Sequence, residues 1–429
     1  MSAAPAQQTA SIAKRAIDAV WRIESPRVIA TLARFVGDLG SAEDLAQDAL
    51  VAALEQWPAA GIPERPGAWL TAVGKRRAVD LLRRRSALAR GTAELGRRVE
   101  LDRAGAGEPD LDAIDGAVED DLLRLIFTAC HPVLATEARV ALTLRLAGGL
   151  DTEAIARAFL VRETTLAQRI VRAKRTLTEA RVSFAVPTGA ELDARLPSVL
   201  EVIYLIFNEG YAATSGEGWT RPELCAEALR LGRILAALLP AEPEVHGLVA
   251  LMEIQASRLR ARIGVSGEAV VLADQDRSRW DQLLIRRGLA ALDRAAGLQR
   301  GLGPYGLQAA IAACHARART VEATDWAAIV ALYDALGQLA PSPVVELNRA
   351  VAVAMAYGPA AALELVDALR EEPALERYHL LPSVRGDLLA RLGRAAEARA
   401  EFKRAASLTL NARERALLLG RAERSGATP

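Results

Sequence analysis

The stretch from Gly148 to Leu177, GGLDTEAIARAFLVRETTLAQRIVRAKRTL, constrains the fold more than any other part of the chain. It predicts a short helix, a tight turn and a longer helix. Asp151 suits a helix N-cap, with Leu150 and Ile155 placed as a hydrophobic staple around it. The short helix starts at Thr152 and should bury Ile155 and Phe159, and the turn falls at Leu160–Arg162. On the second helix, from Glu163 on, Leu166, Ile170, Ala173 and Leu177 recur at helical spacing and make one buried stripe. Its start and opposite face carry Arg162, Thr164, Thr165, Gln168, Arg169, Arg172 and Arg175. Such side chains reach base edges and phosphates in a major groove, and Arg can pair bidentately with guanine. Taken alone, the pattern also fits a solvated amphipathic helix that happens to be basic.

Two passages nearer the N-terminus add to this. SAEDLAQDALVAALEQW offers Ser41 as N-cap, early acids Glu43 and Asp44, and Leu45, Ala49, Ala52 and Ala53 on one face. The other face presents Asp44, Gln47 and Asp48. ERPGAWLTAVGKRRAVDLLRRR has Pro66 near a helix start and Leu70, Val73 and Leu81 at helical spacing. It carries Lys75, Arg76, Arg77, Arg83, Arg84 and Arg85 against Asp80. The net charge of the whole chain is only +1, so this is a local concentration of cations, as phosphate binding requires. A solvated helix end, where cations favour the C-terminal dipole, would carry the same residues.

The rest of the chain predicts an all-α protein. Ala, Leu, Arg and Glu abound, aromatic residues make up 4%, and period-two alternation is scarce. Residues 12–85 read as one helical unit, 86–118 as a Gly-, Asp- and Arg-rich linker, and 119–183 as a second unit. Beyond Pro187 and Gly189, residues 190–424 form a long helical array with a middle part, 190–290, and a repeat-like part, 291–424. In that last part Gly386, Leu389, Gly393, Ala398, Phe402 and Ala405 fall at tetratricopeptide-like offsets. Val344–Leu369, with Gly358 at its turn, reads as a degenerate earlier copy. An ordinary helical hairpin is the alternative.

Cys130, Cys225 and Cys314 are far apart, which offers neither a disulfide scaffold nor a zinc pattern. The start, MSAAPAQQTASIAKR, lacks the apolar core of a signal peptide, and no apolar run approaches the roughly 18 residues of a membrane helix. A cytoplasmic protein with no membrane contact is expected. His131 beside Cys130 has no partner at ligand spacing, so no catalytic residue, metal or cofactor is expected. FNEGY and LADQDRSRWD place Asn208, Glu209, Tyr211, Asp274, Asp276, Arg277, Arg279, Trp280 and Asp281 in apolar surroundings. They fit a buried polar network, a small-ligand pocket or a docking surface.

AEDLAQDALVAALEQW resembles the polymerase-binding part of sigma region 2, WLTAVGKRRAVDLLRRR its promoter-melting part, and LDTEAIARAFLVRETTLAQRIVRAKRTL sigma region 4. The order is right, and no region 3 domain lies between them. The chain therefore resembles the extracytoplasmic-function RNA polymerase sigma factors. RLIFTACHPVL, IYLIFNEGY, LADQDRSRWD and the repeat-like end resemble the subgroup with a long fused C-terminal domain. The resemblance implies a non-enzymatic protein whose partners are core RNA polymerase and promoter DNA. Asp44, Gln47 and Asp48 would dock on polymerase. The loop Pro58–Arg65 and Trp69 would accept an unstacked base of the −10 element, although Trp69 could equally be a core residue. Lys75, Arg76, Arg77, Arg83 and Arg84 would hold the backbone there; at Arg76 many relatives carry Asn. Arg162, Thr164, Thr165, Gln168, Arg169, Arg172 and Arg175 would read the −35 element. The size of the tethered domain suggests, apart from the resemblance, that residues 190–424 regulate in cis by touching region 2, region 4 or polymerase itself, with the C-terminal candidates named above taking part. The competing reading is a helix-turn-helix regulator or adaptor with a helical repeat interaction domain, which would have no need of the 41–85 block.

Overall fold

Caps and prolines set most helix starts in this chain, and small residues set how closely the helices pack. The computed structural model describes residues 4–92, 113–159, 161–212, 215–216, 220–264 and 270–425. The elements of the described residues are α-helices, short 3-10 turns and a parallel two-residue pairing of Ser215–Gly216 with Leu410–Asn411, joined by turns and loops. Packing divides the chain into two units, Met1–Val202 and Ile203–Pro429.

In the first unit α1 (Ala4–Val36), α2 (Leu39–Ala60) and α3 (Pro66–Thr92) pack on one another. Leu45, Ala49, Ala52 and Ala53 of α2 are buried, as the spacing predicts, and so are Val28, Ile29 and Leu32 of α1. Gly74 lets α3 approach α1, since a Cβ there would sit 2.7 Å from a Leu32 methyl. There follow α4 (Ala113–Ala129), α5 (Thr136–Leu146), α6 (Thr152–Phe159) and α7 (Glu163–Glu179). The first half of α8 (Ala190–Tyr211) is pinned to this unit. Arg195 donates to the Phe127 carbonyl at 2.8 Å and Ser198 to the Cys130 carbonyl at 2.6 Å.

Several local expectations need correcting. Asp38, not Ser41, caps α2: its carboxylate accepts the Ser41 amide at 2.7 Å, and the helix starts at Leu39. Both residue types are good caps, and the upstream one wins because Leu39 is then buried inside the helix. Pro58 lies within α2, so the loop to α3 is only Gly61–Arg65. The stretch read as a linker is helical at both ends, to Thr92 and from Ala113; its middle, 93–112, lies outside the described residues, as do Leu160 of the turn and the Arg85 side chain. Phe159 is half-buried rather than buried.

The second unit continues with α9 (Pro222–Leu238), α10 (Pro243–Ala256), α11 (Gln282–Gly297), α12 (Pro304–Arg317) and α13 (Trp326–Leu339). It ends in α14 (Pro343–Ala356), α15 (Pro359–Ala368), α16 (Leu380–Arg391), α17 (Ala395–Leu408) and α18 (Ala412–Arg424). Proline opens α9, α10, α12, α14 and α15, where its missing N–H is no loss. α10 packs on α9, α11 and α12 and is buried on nearly every side, which is why its apolar residues show no single face. From α12 to α18 each helix packs on the next. The two passages with repeat-like spacing are the hairpins α14–α15 and α16–α17. Gly358 and Gly393 take positive φ at their turns, and Gly386 faces the buried Phe402 ring.

Candidate functional site

The helix-turn-helix forms for the reasons read in its sequence. Asp151 caps α6 by accepting the Ala154 amide at 2.6 Å, and Gly149 takes positive φ just before it. Leu166, Ile170, Ala173 and Leu177 of α7 are all buried. Arg162, Thr164, Thr165, Gln168, Arg172 and Arg175 are exposed, and Arg169 is half-buried beside them. Six of these seven side chains therefore stand in solvent on the side away from the core. Arg175 is steadied by Glu179, one turn on, at 2.6 Å.

On α3, Arg76, Arg83 and Arg84 are exposed, and Lys75 and Arg77 half-buried. Arg77 pairs with Asp48 of α2 at 3.1 Å, so the basic helix and the polar face of α2 are adjacent. Asp44, Gln47 and Asp48 are all exposed on that face. Trp69 is half-buried and meets the buried Trp57 edge-on, with ring centroids 5.2 Å apart. One side of the Trp69 ring is thus fixed by the core while the residue keeps a solvent-facing part.

Glu43 is the residue whose role the sequence did not disclose. Its side chain is 6% exposed and accepts Arg145 Nε of α5 at 2.7 Å and Lys174 Nζ of α7 at 2.7 Å. Asp38 accepts Thr178 of α7 at 3.3 Å. The amino-terminal end of α2 therefore holds α7 of the helix-turn-helix and α5 before it. Burial pushes the Glu43 carboxyl up, but Lys174 and Arg145 outweigh it and hold the group below its ordinary value.

In the second unit most of the DQDRSRWD passage holds structure. Asp276 caps a 3-10 turn through Ser278, and Asp281 caps α11 through the Leu283 and Leu284 amides. Arg277 donates to the His315 and Ala318 carbonyls and to Thr324, and Arg279 donates to the Arg260 carbonyl. Trp280 is 3% exposed under the guanidinium groups of Arg258 and Arg277, while Asp274 is exposed. In FNEGY, Glu209 is buried and ion-paired with Arg221, Asn208 is exposed, and Tyr211 lies under Arg262 at 4.0 Å.

Nucleophile and metal chemistry find little support. Burial pushes the thiols of Cys130 and Cys225 up to about 12. His131 accepts the Val133 amide through Nδ1. Among the described residues no group of three or more His, Cys, Asp and Glu could hold a metal, and no helix is long and apolar enough to cross a membrane.

Comparison with known proteins matches each part separately. Residues 21–88 match the family model for sigma-70 region 2, and 124–177 that for sigma-70 region 4. Residues 195–296 match a family of unknown function, DUF6596. A protein of Rhizobium meliloti (strain 1021), itself uncharacterized, is 44% identical over 405 residues, 94% of each chain. The probable ECF RNA polymerase sigma factor SigI of Mycobacterium tuberculosis (strain H37Rv) is 28% identical over 170 residues. That match covers 40% of this chain and 57% of SigI.

Proposed function

The chain belongs to the extracytoplasmic-function sigma factors, non-enzymatic transcription initiation factors, and from that premise we propose that it binds core RNA polymerase, reads −35 and −10 promoter elements and promotes strand opening. The observation that carries the reading is the order of three solvent-facing polar surfaces along one unit. These are the acidic face of α2, the cationic end of α3 and the Arg-, Thr- and Gln-bearing face of α7.

In this reading Asp44, Gln47 and Asp48 meet polymerase. Arg76, Arg83 and Arg84, with Lys75 and Arg77, hold the phosphates of the melting strand. Trp69 stacks on an unpaired −10 base, its ring held in place by Trp57. The exposed face of α7, Arg162, Thr164, Thr165, Gln168, Arg169, Arg172 and Arg175, enters the −35 major groove. Residues 190–424 regulate in cis by touching the sigma regions or polymerase. Tethering puts such a contact at an effective concentration of roughly millimolar, so even a weak interface would be occupied.

The test is charge reversal at Asp48. Asp48 is exposed and its pair with Arg77 is solvated, so Asp48→Arg should change stability by less than about 1 kcal/mol. Its affinity for core polymerase should fall several-fold in a pull-down titration. Unchanged affinity with normal transcription would remove α2 from the docking role.

A further inference from the structure

The second unit contains an arginine buried without an acidic partner among the described residues. Arg258 follows α10, is 5% exposed, and forms no ion pair with a carboxylate among the described residues. Its neighbours are the Tyr211 hydroxyl and the face of Trp280, 5.7 Å from its guanidinium carbon. An isolated buried cation is strongly unfavourable unless something neutralises it. Nearby charges aggravate the imbalance: Arg262 and Arg277 stand close enough to be felt.

Arg258 lines a cavity of about 280 Å³, just under the usual range for ligand pockets and enough for a small molecule. The wall is polar and, among the described residues, carries no acid: Gln255, Gln308 and Asn348 supply amides, and Tyr204 and Tyr333 supply hydroxyls. His315 also lines it, but burial and then Arg258 and Arg277 push it down to about 4, so it is neutral near pH 7. Among the described lining residues one positive charge, that of Arg258, therefore remains. Three buried polar atoms around the cavity have no partner: Arg258 Nε, Gln255 Oε1 and His315 Nδ1. An interior like this is costly unless a ligand or water completes its hydrogen bonds.

We propose that this cavity is a binding site for a small organic carboxylate that also carries a hydroxyl. The carboxylate takes the Arg258 fork, and the hydroxyl donates to the Gln255 oxygen. One cation on the wall balances a monoanion better than a phosphate dianion, and the planar fork matches a carboxylate. Phe207 and Tyr211, whose rings stack with centroids 5.8 Å apart, give the wall an aromatic side suited to a ring or short carbon chain. Asn208 and Asn348, both exposed, lie on the same wall. The site is a property of the chain alone and does not depend on the regulatory reading.

The experiment titrates the full-length chain, without polymerase, with 4-hydroxybenzoate, its neutral isostere 4-hydroxybenzamide, and inorganic phosphate. Calorimetry and thermal midpoint are the readouts. Saturable binding of 4-hydroxybenzoate that raises the midpoint is expected, with the amide and phosphate weaker by about tenfold or more, the worth of a charge-assisted hydrogen bond. Arg258→Met should lose that binding, yet without any added anion its midpoint should not fall below wild type, because the variant removes an uncompensated charge. Should Arg258→Met not fold, Arg258→Lys carries the same comparison, keeping the charge and losing the fork. Three results would overturn the proposal. They are no binding of the hydroxybenzoate, equal binding of the amide, and binding unchanged in the Arg258 variant. Preferential binding of phosphate would overturn the carboxylate assignment.

Discussion

Neutralising Glu43 should loosen α7 from α2. Glu43→Gln keeps the shape and removes the charge that holds both Arg145 and Lys174 at 2.7 Å. Breaking a fully buried ion pair costs about 3–5 kcal/mol. Here the cations are 24% and 19% exposed and recover some hydration, so a loss of about 2–3 kcal/mol is expected. At 1.36 kcal/mol per decade that is roughly a 30- to 150-fold faster hydrogen exchange in the α7 amides, provided they exchange by opening from α2. The assay is exchange mass spectrometry on full-length wild type and variant, comparing residues 163–179 with α1. The pH dependence has a definite sign. Because the folded-state carboxyl titrates below its ordinary value of 4.5, its contribution is fully present above that value. It is lost as pH falls through the depressed one, so the two proteins should converge in acid. Equal α7 exchange in both proteins at neutral pH would refute the tie.

Two further outcomes follow from the proposed surfaces. Arg169→Ala should weaken holoenzyme binding by about 1–3 kcal/mol at one promoter position if it reads a base, or weaken all sequences alike and lower the salt slope by about one if it holds a phosphate. Binding to single-base promoter variants across salt distinguishes these, and no change in affinity or slope removes α7 from the −35 role. A chain ending at Val202, which keeps the half of α8 pinned to α4 and, through Arg139 and Glu201, to α5, should transcribe at a rate several-fold different from the full chain. Equal rates with normal core binding would rule out regulation in cis.

The helix-turn-helix was legible because its signals are local. A cap, a turn and a four-residue stripe specify α6 and α7 within thirty residues. The α2 and α3 faces were legible for the same reason. Glu43 was not, because its partners lie 102 and 131 residues away; in its own sequence it looks like one of two acids at a helix start. Ser41 and Asp38 are both good cap types three residues apart, and it is Asp38 that caps α2, with Leu39 buried inside the helix. Tyr211 and Asn208 were singled out, and both line the cavity, but its centre was missed. Arg258 sits in SRLRAR, a basic string that reads as a solvated helix end, and its burial comes from Trp280 and from helices distant in sequence. The acids of DQDRSRWD drew notice as candidates for regulation, whereas Asp276 and Asp281 are occupied as caps.

The most direct test of the account is transcription reconstituted from purified parts. The full-length chain is mixed with core RNA polymerase and a library of genomic fragments, and transcript 5′ ends are mapped. Discrete start sites should appear only when chain and core are both present. They should share two upstream elements, and they should vanish when Arg76, Arg83 and Arg84 are changed together to Ala. A chain that binds duplex DNA by itself but neither associates with core nor directs any start site would contradict the account.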